Sequence, residues 1–529
     1  MTFWAKSLRV FNCLCENGTQ SVRRLAPKTG FAKSSVHRLQ QAIARRGRHR
    51  ESWLWETEEG RGWLTRLVVA TLSTFGLKRG VGLETISEFF VRLRLETQMG
   101  CSPSALRGVM QALEAALLET AEAWEQEGGA GGEGREIIGA VDETFLERMM
   151  LICMDLHTGY LLLEEVADNR TYATWQALVE ERLAALRTGV RYLVSDRAKA
   201  LVQLAEKGLE CLSMPDFFHV MHDLVKSYSF AIARRVHQAH QELKKAEEAL
   251  SRQLGPTGQP QTPSAAAQAV EVRRVTVQRW EQAHSMYRQH LETLSLTLHP
   301  CTIHDSAPQT AAEVHHRLQA AIDAIEMLVQ GQQLPACHDA MKKVRNQLPA
   351  LAALVDFWWE GVEQDLEQAA ISAPWRTWAR ESLLPWVYGE RQVARTRCAH
   401  RKAKIRRVFK AVQAAFHTHA LTGQLPQQVL KDWHIWARQQ VHAFQRASSA
   451  VEGRNGALAQ LHHNQRGLPK QRYKVWTILH HFDCRAADGT TPASRFVRRA
   501  FPDLFETVLA KIADLPQPRQ RHQTMALIG

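Results

Sequence analysis

The chain has 529 residues, 45% of them hydrophobic, which is far longer than one typical domain and apolar enough to bury several cores. Lys and Arg number 67 against 54 Asp and Glu, a net charge of +13, so a polyanion is the first partner to expect. Nine scattered Cys without a CxxC pair argue against a zinc ribbon or a disulfide framework, and no apolar run approaches the ~18 residues of a membrane span, so the expected setting is a bacterial cytosol, in association with the nucleoid.

Residues 1–52 divide into two short helical patterns around a Gly-containing turn. Val22, Leu25 and Ala26 mark the first, Thr29, Gly30 and Phe31 the turn, and Val36, Leu39 and Ile43 the inner face of a second helix. This is the layout of a helix-turn-helix, whose second helix enters the major groove. Lys33, Ser34, Ser35, His37 and Arg38 are then expected to face DNA, and the tail Arg45, Arg46, Arg48, His49 and Arg50 to neutralise phosphates. The plainer alternative is a helical hairpin with basic ends.

Residues 53–127 are helical in pattern, with Leu64, Leu67, Val68 and Leu72 at helical spacing. The Gly-rich segment 128–135 reads as a flexible linker and a domain boundary. Beyond it the period changes. IIGAV, MMLICM and YLLLEEV read as three strands joined by hairpins, with a turn from Asp155 to Gly159. A helix follows, with Trp175, Leu178, Val179, Leu183 and Leu186 on one stripe and Gly189 as its stop. Then come a strand RYLVS, a helix RAKALVQLAEKG and a strand LECLSM. Three hairpin strands, helix, strand, helix, strand is the element order of the ribonuclease H-like fold. The expected class is therefore an α/β ribonuclease H-like core with a mixed five-stranded sheet, its first part at 136–224.

Residues 225–445 are expected to form a large all-α insertion. Two long amphipathic runs, about 225–254 and 265–298, are split by GPTGQPQTP. Trp358, Trp359, Trp375, Trp378, Trp386, Trp433 and Trp436 follow at helical spacings that predict mostly core rings. The run 391–410 carries nine Lys or Arg and no acid. Arg395, Arg397, Arg401, Lys402, Lys404, Arg406 and Arg407 are its expected DNA-backbone contacts, against the plainer reading of a solvated helix face. Residues 446–529 are expected to complete the core with one more helix and a C-terminal region.

Three acids stand apart from the rest. Asp142 ends the apolar IIGAV strand, where a buried carboxylate is costly unless paired or metal-bound, while Glu143 should face the other side of the strand. Asp196 follows RYLVS and fits a helix N-cap, but in the ribonuclease H order the first and fourth strands are neighbours, which sets it beside Asp142. A divalent cation relieves the repulsion of two such carboxylates. Glu452 fits a capping box with Ser449, yet it opens the first helix after the long helical segment and is followed by Arg454, Asn455, His462, His463, Asn464 and Arg466.

On these motifs the chain resembles the DDE transposases of bacterial insertion sequences. GAVDETF is similar to that family's first-strand motif, YLVSDRAKAL to its second and SSAVEGRNG to its helix motif. The resemblance implies that Asp142, Asp196 and Glu452 are catalytic and hold two Mg²⁺ ions, with Mn²⁺ as a substitute, for two-metal phosphoryl transfer. Water first frees a 3′-OH at the transposon end, and that hydroxyl then attacks target DNA. It implies transposon-end duplex and target DNA as partners, and a homodimer or higher homo-oligomer. Asp216-x-x-His219 matches the spacing of a further motif of cut-and-paste transposases, with His219 at the scissile phosphate or in support of the active-site strand. Arg454 and Asn455 beside Glu452, and Lys470, Arg472 and Lys474 beyond it, are expected to contact DNA. The competing expectations are a ribonuclease H-like nuclease that cuts without joining, and a transposase-derived DNA-binding regulator that has lost its chemistry.

Overall fold

A computed structural model describes residues 3–518 apart from 19, 48, 131–134, 254–264, 336, 465–469, 487–488 and 513. Its centre is one mixed sheet of five strands: β1 (Arg135–Phe145), β2 (Met149–Asp155), β3 (Leu161–Ala167), β4 (Thr188–Ser195) and β5 (Leu212–Pro215), in the order β3-β2-β1-β4-β5. The hairpins make β1–β2 and β2–β3 antiparallel, and the helical crossovers make β1–β4 and β4–β5 parallel. The β2–β3 turn forms because the Asp155 carboxylate accepts from the backbone amides of His157 and Thr158, while Gly159 takes the left-handed conformation that closes it. β1 and β4 lie close because Gly139 has no side chain; a Cβ there would meet Leu193 Cδ1 at 2.9 Å.

Trp175, Val179 and Leu183 bury one stripe of the crossover helix Tyr172–Ala185, as the spacing predicts. Its stop differs from the expectation. The helix ends at Ala185, Arg187 makes the left-handed turn, and Gly189 already lies within β4.

From Phe217 the chain leaves the sheet for a helical excursion, and it is back by Ser449. Helices Phe217–Gln253 and Ala265–Thr297 pack against each other, followed by Ala311–Gly331, His338–Gln368, Leu384–Arg395, Ala399–Thr418 and Gln427–Ala443. The GPTGQPQTP break between the first two lies outside the described residues. Trp358, Trp359 and Trp378 are buried, and Trp375, Trp386, Trp433 and Trp436 pack partly buried against the same core.

Near the N-terminus, helix Phe3–Asn17 packs on helices Val22–Thr29 and Lys33–Arg46, with Gly30 left-handed between the latter two. Leu25, Ala26 and Val36 form a small core of their own. Lys33, Ser34, His37 and Arg38 are exposed on the second of these helices and Ser35 is half-buried. Arg46 corrects the expected basic tail: its side chain is 3% exposed and forks onto Glu56, with a third bond to Ser7 Oγ. The expected linker at 128–135 is helical as far as Ala130, the end of the long helix Pro103–Ala130, and 131–134 lie outside the described residues. Among the described residues no helix is long and apolar enough to cross a membrane.

Candidate active site

The excursion departs and returns through a single knot of hydrogen bonds. Asp216, at the end of β5, donates its amide to Ser195 O at the end of β4. Its side chain is fully buried: Oδ1 accepts from Phe218 N at 2.7 Å, and Oδ2 accepts from Ser448 N at 3.0 Å and from Ser448 Oγ. Phe217 N donates to Arg446 O, so the outgoing and incoming chains touch at the sheet. Asp216 therefore clips the two ends of the excursion together. A charge this deep is tolerable because three donors satisfy it.

The clip places helix Ser449–Asn464 against β1 and β2. Glu452 N bonds to Ser448 O, which makes Ser448 the cap and Ser449 the first helical residue, in place of the expected Ser449 capping box. The Glu452 carboxylate lies 3.6 Å from His219 Nε2 instead. One turn on, Asn455 Nδ2 donates to Asp142 Oδ2 at 2.7 Å, while Asp142 Oδ1 accepts from Glu143 N at 2.9 Å. Glu143 itself pairs with Arg170.

Asp142 is half-buried, and its carboxyl is pushed up to about 6, first by burial and then by the Glu452 charge, with the Glu143 amide and His219 opposing. That is the electrostatic signature of two carboxylates brought to one place. Asp196 joins them through strand register. The last registered β1–β4 pair is Ala140 with Val194, so Asp142 and Asp196 each stand two residues beyond the same rung. Asp196 is exposed, its Oδ1 accepting from Ala198 N at 2.8 Å, and Arg197 beside it is left-handed. Among the described residues no three His, Cys, Asp or Glu side chains already stand close enough to hold a metal ion. The expected cluster is thus a coupled pair, Asp142 and Glu452, with Asp196 adjoining on the next strand and turned to its own loop amide.

Arg454 was expected on DNA and is instead buried. Its Nε and Nη2 fork onto Glu164 Oε2 and Oε1 at 2.6 and 2.7 Å, and Thr477 Oγ1 donates to the same carboxylate. This pair ties the Glu452 helix to β3 from beneath. Asn455 likewise serves Asp142, with its Oδ1 buried and without a donor. Arg472 pairs with Glu114, Lys474 lies 3.7 Å from Glu165, and the side chain of Lys470 is outside the described residues. The basic run fares better as a surface. Arg395, Arg397, Lys404, Arg406 and Arg407 are exposed, Lys402 is half-buried, and Arg401 pairs with Glu292 at 3.0 Å. Sequence reasoning missed the Asp216–Ser448 clip and the Glu164–Arg454 fork; the one legible signal was the pair of acids, Glu164 and Glu165, within the apolar YLLLEEV strand.

The raised Asp142 sets a pH dependence. The folded chain holds this proton up to about pH 6 whereas the unfolded chain releases it near 3.8, so ionisation opposes folding progressively between those values and fully above the upper one. Asp142→Asn is expected to stabilise the cation-free protein at pH 7.5 by roughly 1–2 kcal/mol, discounted for solvent screening, and to bring much less at pH 4. Thermal melts at the two pH values check this; equal shifts at both would exclude the coupling.

Residues 379–524, about a quarter of the chain, match a family of unknown function, DUF6399. No curated protein matches the chain. The matched segment holds the basic helix, the incoming end of the excursion and the Glu452 helix, but neither aspartate strand.

Proposed function

We propose that this protein is a metal-dependent polynucleotidyl transferase of the DDE transposase kind, cutting DNA at the ends of a mobile element and joining them to a target. One observation carries the reading: an excursion of more than two hundred residues returns through the Asp216–Ser448 clip so that Glu452 and Asn455 stand beside Asp142. The strand order β3-β2-β1-β4-β5, with only β2 antiparallel to its neighbours, is that of a ribonuclease H-like core and supports the same reading. The helix pair with exposed Lys33, His37 and Arg38 supports a helix-turn-helix that reads duplex DNA.

The residues fit a divalent cation. An Asp142 carboxyl pushed up by burial and by the Glu452 charge, and a buried Asn455 Oδ1 without a donor, lack a positive partner. Asp142, Glu452 and Asp196 would hold Mg²⁺, which supplies charge neutralisation at a scissile phosphate. Asn455 fixes the orientation of Asp142 and leaves a lone pair free on each carboxylate oxygen. His219, one-third exposed, lies 3.6 Å from Glu452 and 3.9 Å from Asp216, which supports a role as donor to a phosphate oxygen bound beside Glu452.

End-labelled duplexes incubated with purified protein test this directly: nicks that need Mg²⁺ and vanish with chelator are expected, followed by joined products in a target plasmid. Nicks without joining would favour the nuclease, and binding without nicks the regulator. The basic helix adds a second expectation. Lys404→Glu, Arg406→Glu and Arg407→Glu together should weaken duplex binding at least about tenfold and flatten its salt dependence, since each neutralised phosphate contributes a slope of roughly −0.9. An unchanged slope in filter binding would take this helix out of the interface.

A further inference from the structure

A second cluster of charge lies away from the acids. Arg391, on helix Leu384–Arg395, donates to Val441 O, next to His442 on helix Gln427–Ala443. Its Nε is buried without a partner, as is His157 Nδ1 in the β2–β3 turn. The charged groups that surround these two imidazoles are mostly arginines, and they hold both rings toward the neutral form. His442 is pushed down to about 4, first by desolvation and then by Arg391, His157, Arg438 and Arg395. Arg391 is pushed down to about 10 by burial, with Arg395 and Arg446 adding to the repulsion and the Tyr388 hydroxyl opposing it. Arg495 and Arg498 reach His157 from the C-terminal region. The single acid among these neighbours, Asp155, is already spent on the His157 and Thr158 amides and the Thr158 hydroxyl. Among the described residues no ion pair joins Arg391, Arg395 or Arg438 to a carboxylate.

We infer that the β2–β3 turn and the two helices Leu384–Arg395 and Gln427–Ala443 enclose a phosphate-binding site, with Arg391 and His157 at its floor and His442, Arg395 and Arg438 at its exposed mouth. Arg391 is a half-buried cation without a counter-charge, which destabilises the fold on its own, and an anion beside it removes that cost. Guanidinium forks and imidazoles converging from a turn on one side and two helices on the other suit a tetrahedral, multiply charged oxyanion better than a planar carboxylate.

The position selects the source of the phosphate, and this step rests on the polynucleotide reading above. Tyr192, paired with Ile138, donates to Gln445 O, so the returning chain crosses the sheet face that carries Ile138, Ala140 and, by strand alternation, Asp142. The turn leaves β2 at Asp155, opposite Gly139 and three residues before Asp142. Three residues of strand span about 10 Å, the axial rise of about three base pairs of a duplex. A nucleic-acid backbone engaged at Asp142 and running over this face therefore delivers a phosphate to Arg391.

The test uses the full-length protein with two probes, inorganic phosphate and a duplex, and compares wild type with Arg391→Ala and Arg438→Ala. The second variant is at the exposed mouth and stays informative if loss of the Arg391–Val441 bond unfolds the first. Expected are a rise in melting temperature with millimolar phosphate in wild type that is lost in the variants, duplex affinity reduced about tenfold, and a log–log salt slope smaller by about 1. The Mg²⁺ response of Asp142 should be untouched. Stabilisation by phosphate with duplex binding unchanged in both variants supports the site but assigns it to a free phosphate. No stabilisation of wild type by phosphate, together with unchanged duplex binding in Arg438→Ala, overturns it. If no DNA is ever cut yet phosphate still stabilises through Arg391, the catalytic proposal fails and this site stands.

Discussion

Asp142→Asn, Asp196→Asn and Glu452→Gln should each lower Mg²⁺-dependent cleavage by about 10³-fold or more, while duplex binding changes by less than about twofold. The separation follows from where the charges are. On the proposed reading Asp142 and Glu452 share one site with Asp196 on the adjoining strand, whereas affinity for DNA would come from the exposed arginines and lysines of helices Lys33–Arg46 and Ala399–Thr418. Each substitution keeps the side-chain shape and removes one negative charge, so Asn455 can still donate to position 142 and the Asp216 clip is untouched. A metal-holding carboxylate admits no neutral replacement, because the charge that draws the cation is what is lost. Gel assays of cleavage and anisotropy of binding on the same preparations decide it; full cleavage by Glu452→Gln would remove the helix from the site.

Arg454→Ala should cost about 3–5 kcal/mol of stability, the range for breaking a buried ion pair by deleting one partner. Glu164 is fully buried and would keep only the Thr477 hydroxyl as a donor. Because Arg454 lies two residues from Glu452 and anchors that helix to β3, the loss should also show as weaker Mg²⁺ stabilisation in any variant that survives purification. The double change Glu164→Gln with Arg454→Met should recover much of the loss, since the uncompensated charge and not the missing contact dominates the cost. Denaturant melts separate the outcomes; a single variant within about 1 kcal/mol of wild type would mean that the fork contributes nothing to holding the helix.

The sheet was legible because its strands are short apolar runs bounded by turn chemistry, as Asp155 and Gly159 illustrate. The two aspartates were legible for a related reason: a carboxylate at the end of an apolar strand violates the local pattern. Arg454, Asn455 and Arg46 misled because a basic or amide side chain looks the same in sequence whether it meets a phosphate or a buried carboxylate hundreds of residues away, and Glu164 and Glu56 are the partners that decide. Asp216 was found by its spacing to His219 although its work is different. It joins Ser448 across an excursion whose length no local pattern encodes. The phosphate site was hidden for the same reason, since Arg391 lies inside a basic run and His157 inside a turn, and only the fold sets them together.

Binding of Mn²⁺ in the absence of DNA, followed by the electron paramagnetic resonance of the free ion, tests the shared site most directly. If the helical excursion returns Glu452 to the aspartate strands to complete one cation site, Glu452→Gln and Asp142→Asn should each weaken Mn²⁺ binding more than about tenfold, to the same degree. Wild-type affinity for Mn²⁺ in Glu452→Gln, with loss confined to Asp142→Asn, would contradict it.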